Sequence, residues 1–130
     1  MPTRETIVPT GMEDIFERFH YAPGVKVGNT LYVAGQVGRD ENLQVIEDKE
    51  AQFAKAFENL KTVLTAAGAT FDDVVDMITY HLDMSDLQLF MEVKDRYMTN
   101  QYPTWTALGV SALAMPGLLA EIKCTAVLPE

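Results

Sequence analysis

The sequence predicts an α+β fold, two helices laid on one face of a mixed β-sheet, and three observations lead there. Residues 48–67 place Phe53, Phe57, Leu60, Leu64 and Ala67 at alternating spacings of four and three, which draws an apolar stripe down one face of a helix. A second helical pattern begins at about Asp86. The remaining apolar segments are β-branched runs bounded by Gly, Asn and Pro, and the order β, β, α, β, α, β, β is that of a layered sheet-and-helix fold. With 130 residues the chain fits one domain, 1–130, long enough to bury a core.

Residues 12–19 can form a short helix, with Thr10 or Gly11 at its start and Glu13 and Asp14 in the first turn, where negative charge is favourable. Pro9-Thr10-Gly11 breaks any earlier strand. GVKV from Gly24 and TLYVAGQV from Thr30 flank Gly28-Asn29, a two-residue turn able to supply positive φ, so this stretch is a β-hairpin. Gly35 has no side chain to pack and marks a bulge or a close approach. Gln36 to Asp40 lead into a polar loop ending near Val45.

Gly68 ends the first long helix, whose opposite face, with Glu50, Lys55, Glu58 and Lys61, is solvated. Residues 74–83 are apolar on both parities, which predicts a strand covered on both faces. The second helix takes Ser85 or Asp86 as its N-cap, turns Leu87, Phe90 and Tyr97 to the core, and exits at Asn100 and Pro103. Tyr102 to Leu128 holds two β-patterned segments joined by Met115-Pro116-Gly117. One face of such a sheet is left uncovered, and symmetric self-association is the expected cover.

Composition narrows the function. The chain is 48% hydrophobic and 22% charged, ordinary for a globular protein, and its net charge of -9 disfavours nucleic acid, whose affinity comes from Lys and Arg displacing counterions. The N-terminal residues lack the apolar core of a signal peptide, and no stretch reaches the ~18 to 20 apolar residues of a membrane span. A cytoplasmic location without a membrane partner is expected. Cys124 is the only cysteine, which excludes an intramolecular disulfide and a paired-cysteine zinc site, and His20 and His81 stand without a metal-ligand pattern. No metal or cofactor is expected.

On the last strand Ala120, Ile122, Cys124 and Ala126 share the core parity, so Glu121 falls on the face away from the helices with Lys123 and Thr125. A carboxylate there can serve as general base toward water if burial lifts its pKa, or it can pair with Lys123 or a neighbouring subunit. Trp105 alternates with Ala107 and Gly109. Its ring can fill a gap in the sheet face or wall a ligand. His81 and Cys124 read as packed residues.

The stretches PGVKVGNTLYVAGQVG, AFENLKTVLTAAGATFDDVVDMITYHLDMSD, YPTWT and AEIKCTAVLPE resemble the RidA family, also called YjgF or endoribonuclease L-PSP, over nearly the whole chain from Tyr21 onward. The resemblance implies a chorismate-mutase-like α+β fold and a homotrimer with a barrel-like core and small-molecule clefts between subunits. It implies hydrolysis of reactive enamines and imines, such as 2-aminoacrylate, to 2-keto acids and ammonia without a cofactor. By position, Tyr21 matches a pocket tyrosine, Gly35 and Gln36 lie in the strand lining the cleft, and Glu121 matches the glutamate that positions water. The deaminase branch has an arginine where this chain has Trp105, and an indole with one donor cannot reproduce a guanidinium fork on a carboxylate. Ala34 stands for the usual serine and Lys94 for the usual asparagine. Lys94 and Arg39 are the two cations that could restore the missing charge.

Three readings follow. The first is a deaminase whose substrate differs from 2-aminoacrylate, with Glu121 acting on water and Tyr21, Gly35, Gln36, Lys94 and Trp105 lining the site. The second is a noncatalytic trimer that binds or senses a small molecule. The third, a ribonuclease, is disfavoured by the charge and by the lack of interleaved basic and aromatic residues.

Overall fold

A computed structural model describes residues 3–129 of the chain. In chain order its elements are β1 (Arg4–Ile7), α1 (Glu13–Phe19), β2 (Gly24–Val27), β3 (Thr30–Val37), α2 (Lys49–Ala66), β4 (Val74–His81), α3 (Leu87–Tyr97), β5 (Thr104–Gly109) and β6 (Ala120–Val127). They build a six-stranded mixed sheet, order β1-β2-β3-β6-β4-β5, with α2 and α3 packed on one face. The two β-segments at the end of the chain do not pair with each other. β6 enters between β3 and β4, antiparallel to both, while β5 lies parallel to β4 at the sheet edge.

The α+β class and both long helices stand as the sequence predicts, and four local details are corrected or sharpened. A strand does precede Pro9: Arg4–Ile7 pairs antiparallel with β2. Only Ile7 of its four residues is buried, so a short edge strand shows no alternation to detect. Met12, not Thr10 or Gly11, occupies the N-cap position of α1, and Glu13 Oε1 accepts the Gly11 N–H at 2.8 Å. Asp86 takes the expected N-cap position of α3 but its side chain makes no capping bond there; its carboxylate accepts from Lys49 Nζ at 2.7 Å. Asp83 caps the 3-10 turn ahead of α3 instead, accepting from Ser85 N at 2.9 Å. Finally, a bulge between Val74 and Asp76 turns Val74 inward with Met77, Thr79 and His81 and off the side shared by Ile78 and Tyr80, which are half-buried within one chain.

The core forms where α2 and α3 meet the sheet. Phe57 is fully buried, stacks on Tyr97 at 5.2 Å and lies 5.4 Å from the Phe90 ring. Burying one such side chain contributes about 2 to 3 kcal/mol. Leu87 of α3 is only half-buried, and Val93 and the stem of Lys94 join Phe90 inside. Burial pushes the Cys124 thiol up to about 12, as suits a packed residue. The opposite sheet face carries exposed Tyr32, Leu108 and Val127 beside half-buried Ile78 and Tyr80. No helix among the described residues is long and apolar enough to cross a membrane.

Gln52, in the first turns of α2, is 1% exposed and joins three segments that no sheet ladder connects. Its Nε2 donates to the carbonyls of Ile46 and Gly117, each at 2.9 Å, and its Oε1 accepts the Leu119 N–H at 2.7 Å. Gly38 lies against the Gln52 carbonyl, where a Cβ would collide. Gln52→Ala removes the partner of two carbonyls and one N–H on half-buried to exposed segments and empties a buried side-chain site, and it should cost about 2 kcal/mol. A urea titration should show a lower midpoint at unchanged slope.

Candidate active site

The pleat of β6 positions the central group. Ile122 and Cys124 face the helices, so Glu121 faces the other way, half-buried, opposite Val37 on β3 and Tyr80 on β4. Across from it β3 bulges between Val33 and Gln36, which sets Ala34 and Gly35 against one residue of β6. The Glu121 carboxylate lies directly over Gly35, and any Cβ there would overlap Glu121 Oε2. Glycine at this position is therefore required by close approach.

Around the carboxylate opens a cleft of about 370 Å³, lined by Tyr21, Ala34, Gly35, Arg39, Leu118 and Lys123 among others. Arg39 reaches into it from the loop after β3. Its Nη2 donates to Tyr21 Oη at 3.2 Å and its Nη1 to Met115 Sδ at 3.3 Å. Burial raises the Glu121 pKa above the ordinary glutamate value, and the Arg39 and Lys123 charges pull against that rise. A partly desolvated carboxylate beside a guanidinium and a phenol can take a proton from water and return it. Among the described residues no group of three or more His, Cys, Asp and Glu side chains converges to hold a metal ion.

Three of the sequence-predicted residues lie on the other side of the sheet within one chain. The β3 bulge that frees Gly35 turns Gln36 toward the helices, opposite Ile122, where it lines a separate depression of about 310 Å³ with Asn59 and Lys55. Trp105 sits beside Met77 on the helix side. Its Nε1 donates to Thr79 Oγ1 at 2.9 Å, Thr79 Oγ1 lies 2.7 Å from His81 Nε2, and the indole packs 6.2 Å from the Phe90 ring. His81 Nδ1 is buried without a partner among the described residues, and desolvation lowers the ring's pKa despite the opposing charge of Asp86. Lys94 holds its ammonium 5.2 Å from the Trp105 ring centroid and 5.9 Å from that of Tyr102. Tyr21, Gly35 and Glu121 thus form one cluster, and Trp105 and Lys94 form another near the β5 edge.

Sequence reasoning missed the supports of Arg39. Asn59 of α2 donates its Nδ2 to the carbonyls of Val37 at 2.8 Å and Arg39 at 2.9 Å. Asn59 falls between the apolar stripe and the solvated face of α2, and its type alone carries no signal. The Gly-rich run Gly35-Gln36-Val37-Gly38 is the one cue in the sequence that backbone comes unusually close to other groups here.

The sequence profile of a family described as endoribonuclease L-PSP matches residues 13–128. Among curated proteins, the RutC family protein YjgH of Escherichia coli is 37% identical over 132 residues, covering 100% of this chain and 99% of that protein. A human protein named 2-iminobutanoate/2-iminopropanoate deaminase is 32% identical over 109 residues, 82% of this chain and 79% of its own. Among solved structures, protein YjgH superposes with a TM-score of 0.88 at 37% identity, covering 98% of each chain. Rv2704 of Mycobacterium tuberculosis, a member of the YjgF/YER057c/UK114 family, superposes with a TM-score of 0.84 at 31% identity, covering 97% of this chain and 100% of its own.

The raised Glu121 pKa has a stability consequence whose sign is fixed. Between the unfolded and folded pKa values the native state binds more protons than the unfolded state, so stability falls as pH rises through that window. Glu121→Gln removes the desolvated charge. Its thermal midpoint should exceed that of the wild type at neutral pH, and the difference should vanish in buffers acidic enough to protonate glutamate in the unfolded chain.

Proposed function

The chain belongs to the endoribonuclease L-PSP family, the YjgF/RidA proteins, and on that footing we propose that it is a hydrolytic deaminase of small reactive enamines or imines. The observation that carries the reading is Glu121, a half-buried carboxylate of raised pKa held over Gly35 in a cleft with Tyr21 and Arg39. The deaminase names borne by the human relative and by its mouse counterpart, 35% identical to this chain over 109 residues, support it.

In this mechanism Glu121 takes a proton from water as the water oxygen adds to the imine carbon, and that proton passes to the imine nitrogen to give a carbinolamine. The hydroxyl proton of the carbinolamine then moves through Glu121 to nitrogen. The C–N bond breaks, ammonia leaves and the carbonyl forms. Imine plus water is thereby balanced against carbonyl compound plus ammonia. An enamine substrate first takes a proton on carbon and gives one up from nitrogen, which yields the imine. Burial suits Glu121 to this exchange because it brings the donor and acceptor pKa values closer together.

The substrate differs from 2-aminoacrylate in this proposal. Trp105 stands at the position where the family resemblance places an arginine, and its single N–H is already given to Thr79. The apolar outer sheet face, with Tyr32, Leu108 and Val127 exposed, is the surface that three copies would cover in a cytoplasmic homotrimer. The β5 edge of a neighbour, with Trp105 and Lys94, would then close each Glu121 cleft around the ligand.

The test is ammonia release from imines generated in situ, one of them 2-aminoacrylate. The wild type should act on a larger imine better than on 2-aminoacrylate, and Glu121→Ala should lower kcat by about 10²- to 10⁴-fold. Absence of turnover with every imine would leave the noncatalytic binding reading in its place. Sedimentation should return three times the 14.5 kDa chain mass, and a monomer would count against shared clefts.

A further inference from the structure

Arg39 is an arginine whose position has a purpose beyond packing. Three facts about its surroundings meet at that conclusion, and this inference rests on the cleft assignment above.

The first fact concerns charge. The chain carries nineteen acidic residues against ten basic ones, so a cation on its surface is surrounded by available acids. Arg18, Lys49, Lys94 and Arg96 all pair with a carboxylate. Arg39, like Arg4, Lys26, Lys55, Lys61 and Lys123, forms no ion pair among the described residues, but of these six it is the one whose side chain is held by hydrogen bonds, to a phenol and a thioether. The Asp40 carboxylate next to it accepts the backbone N–H groups of Asn42 and Gln44, each at 2.9 Å, and is turned into its own loop. Nη1 and Nη2 each keep a second N–H beyond these bonds, and Nε makes none among the described residues.

The second fact is that the group is held in place before any ligand arrives. Asn59 clamps the carbonyls of Val37 and Arg39, Gly38 is pressed on the Gln52 carbonyl, and Arg39 bridges to Val45 across the loop. Preorganised donors lose less freedom on binding than a free surface arginine does. The third fact is proximity to the reacting group, since the Arg39 charge acts on Glu121 within the same cleft. Lys94, the other cation considered, lies on the helix side of the sheet against Trp105 and Asp95.

We infer that Arg39 is the substrate-carboxylate anchor of this cleft, gripping a 2-imino or 2-oxo acid with a longer carbon chain than 2-aminoacrylate from the same sheet face as Glu121. The planar fork matches a carboxylate through two parallel bonds, and Lys123 at the cleft wall adds a second positive charge. The carboxylate is thereby held beside Glu121, and the substrate's carbon chain points away from Arg39. This places specificity for the acid group in the loop after β3 rather than on β5.

The experiment measures binding of a probe, so that it does not depend on turnover. Titrate 15N-labelled full-length protein with 2-oxobutanoate and, separately, with neutral 2-oxobutanamide, for wild type, Arg39→Met, Arg39→Lys and Lys94→Met. The acid should shift the Gly35 and Glu121 amides of the wild type. Arg39→Met should weaken its binding by about 10- to 100-fold, the value of a charge-assisted pair, and Arg39→Lys should recover only part of it. The amide should bind weakly and without regard to Arg39. Three results would overturn the proposal: no acid binding by the wild type, equal binding by Arg39→Met, or a loss that follows Lys94→Met instead. Should Arg39→Met fail to fold, Arg39→Lys carries the same comparison. Acid binding that depends on Arg39 without imine hydrolysis would retain the anchor and remove the deaminase reading; hydrolysis indifferent to Arg39 would do the reverse.

Discussion

The pleat of β6 is the constraint on which the rest of the molecule depends. A strand paired on both sides cannot rotate, so its alternate residues are committed to opposite faces for their whole length. Ile122, Cys124 and Ala126 hold the strand against α2 and α3, and that same commitment aims Glu121 outward. A slip of one residue in pairing would bury Glu121 and Lys123 under the helices. The hydrophobic core thus fixes the register of the site, even though Ile122, Cys124 and Ala126 do not line the cleft.

The second requirement is that the backbone facing Glu121 gives way. It does so at the β3 bulge, where Gly35 makes room for the carboxylate and Gln36 is redirected to the helix side. One irregularity performs both tasks. The loop that follows inherits its direction from the bulge, and Asn59 and Gln52 on α2 then hold it from behind. The polar anchors on α2 lie outside its apolar stripe or replace one of its members. They join the helix to loops rather than to the sheet, which is why the cleft wall is built from segments far apart in the chain.

Much of this was legible in the sequence, and the failures have physical reasons. Period-four-and-three spacing identified α2, and alternation at residues 120–126 assigned Glu121 to the outer face, because both signals are local. Gly35 announced a close approach since a glycine has few other uses inside a strand. Side-chain parity failed at Val74, because parity counts residues and a bulge adds one, and the β3 bulge likewise takes Gln36 from the cleft position that the family resemblance implied. Parity also failed to show that Trp105 and Glu121, sixteen positions apart on two β-segments, belong to opposite faces; that relation passes through β4, which lies between them. The part played by Gln52 could not be read at all, since its three partners lie on segments whose meeting is itself the fold.

Trp105, half-buried, is held at three points: its N–H by Thr79, its ring by Phe90 and by the Lys94 ammonium. An arginine introduced there alone would bring a second cation to Lys94 and a desolvated charge against Phe90. A single Trp105→Arg substitution therefore meets both obstacles at once, and it is tolerated only together with a change at Lys94 or Phe90, whereas a charge supplied from the loop after β3 meets neither.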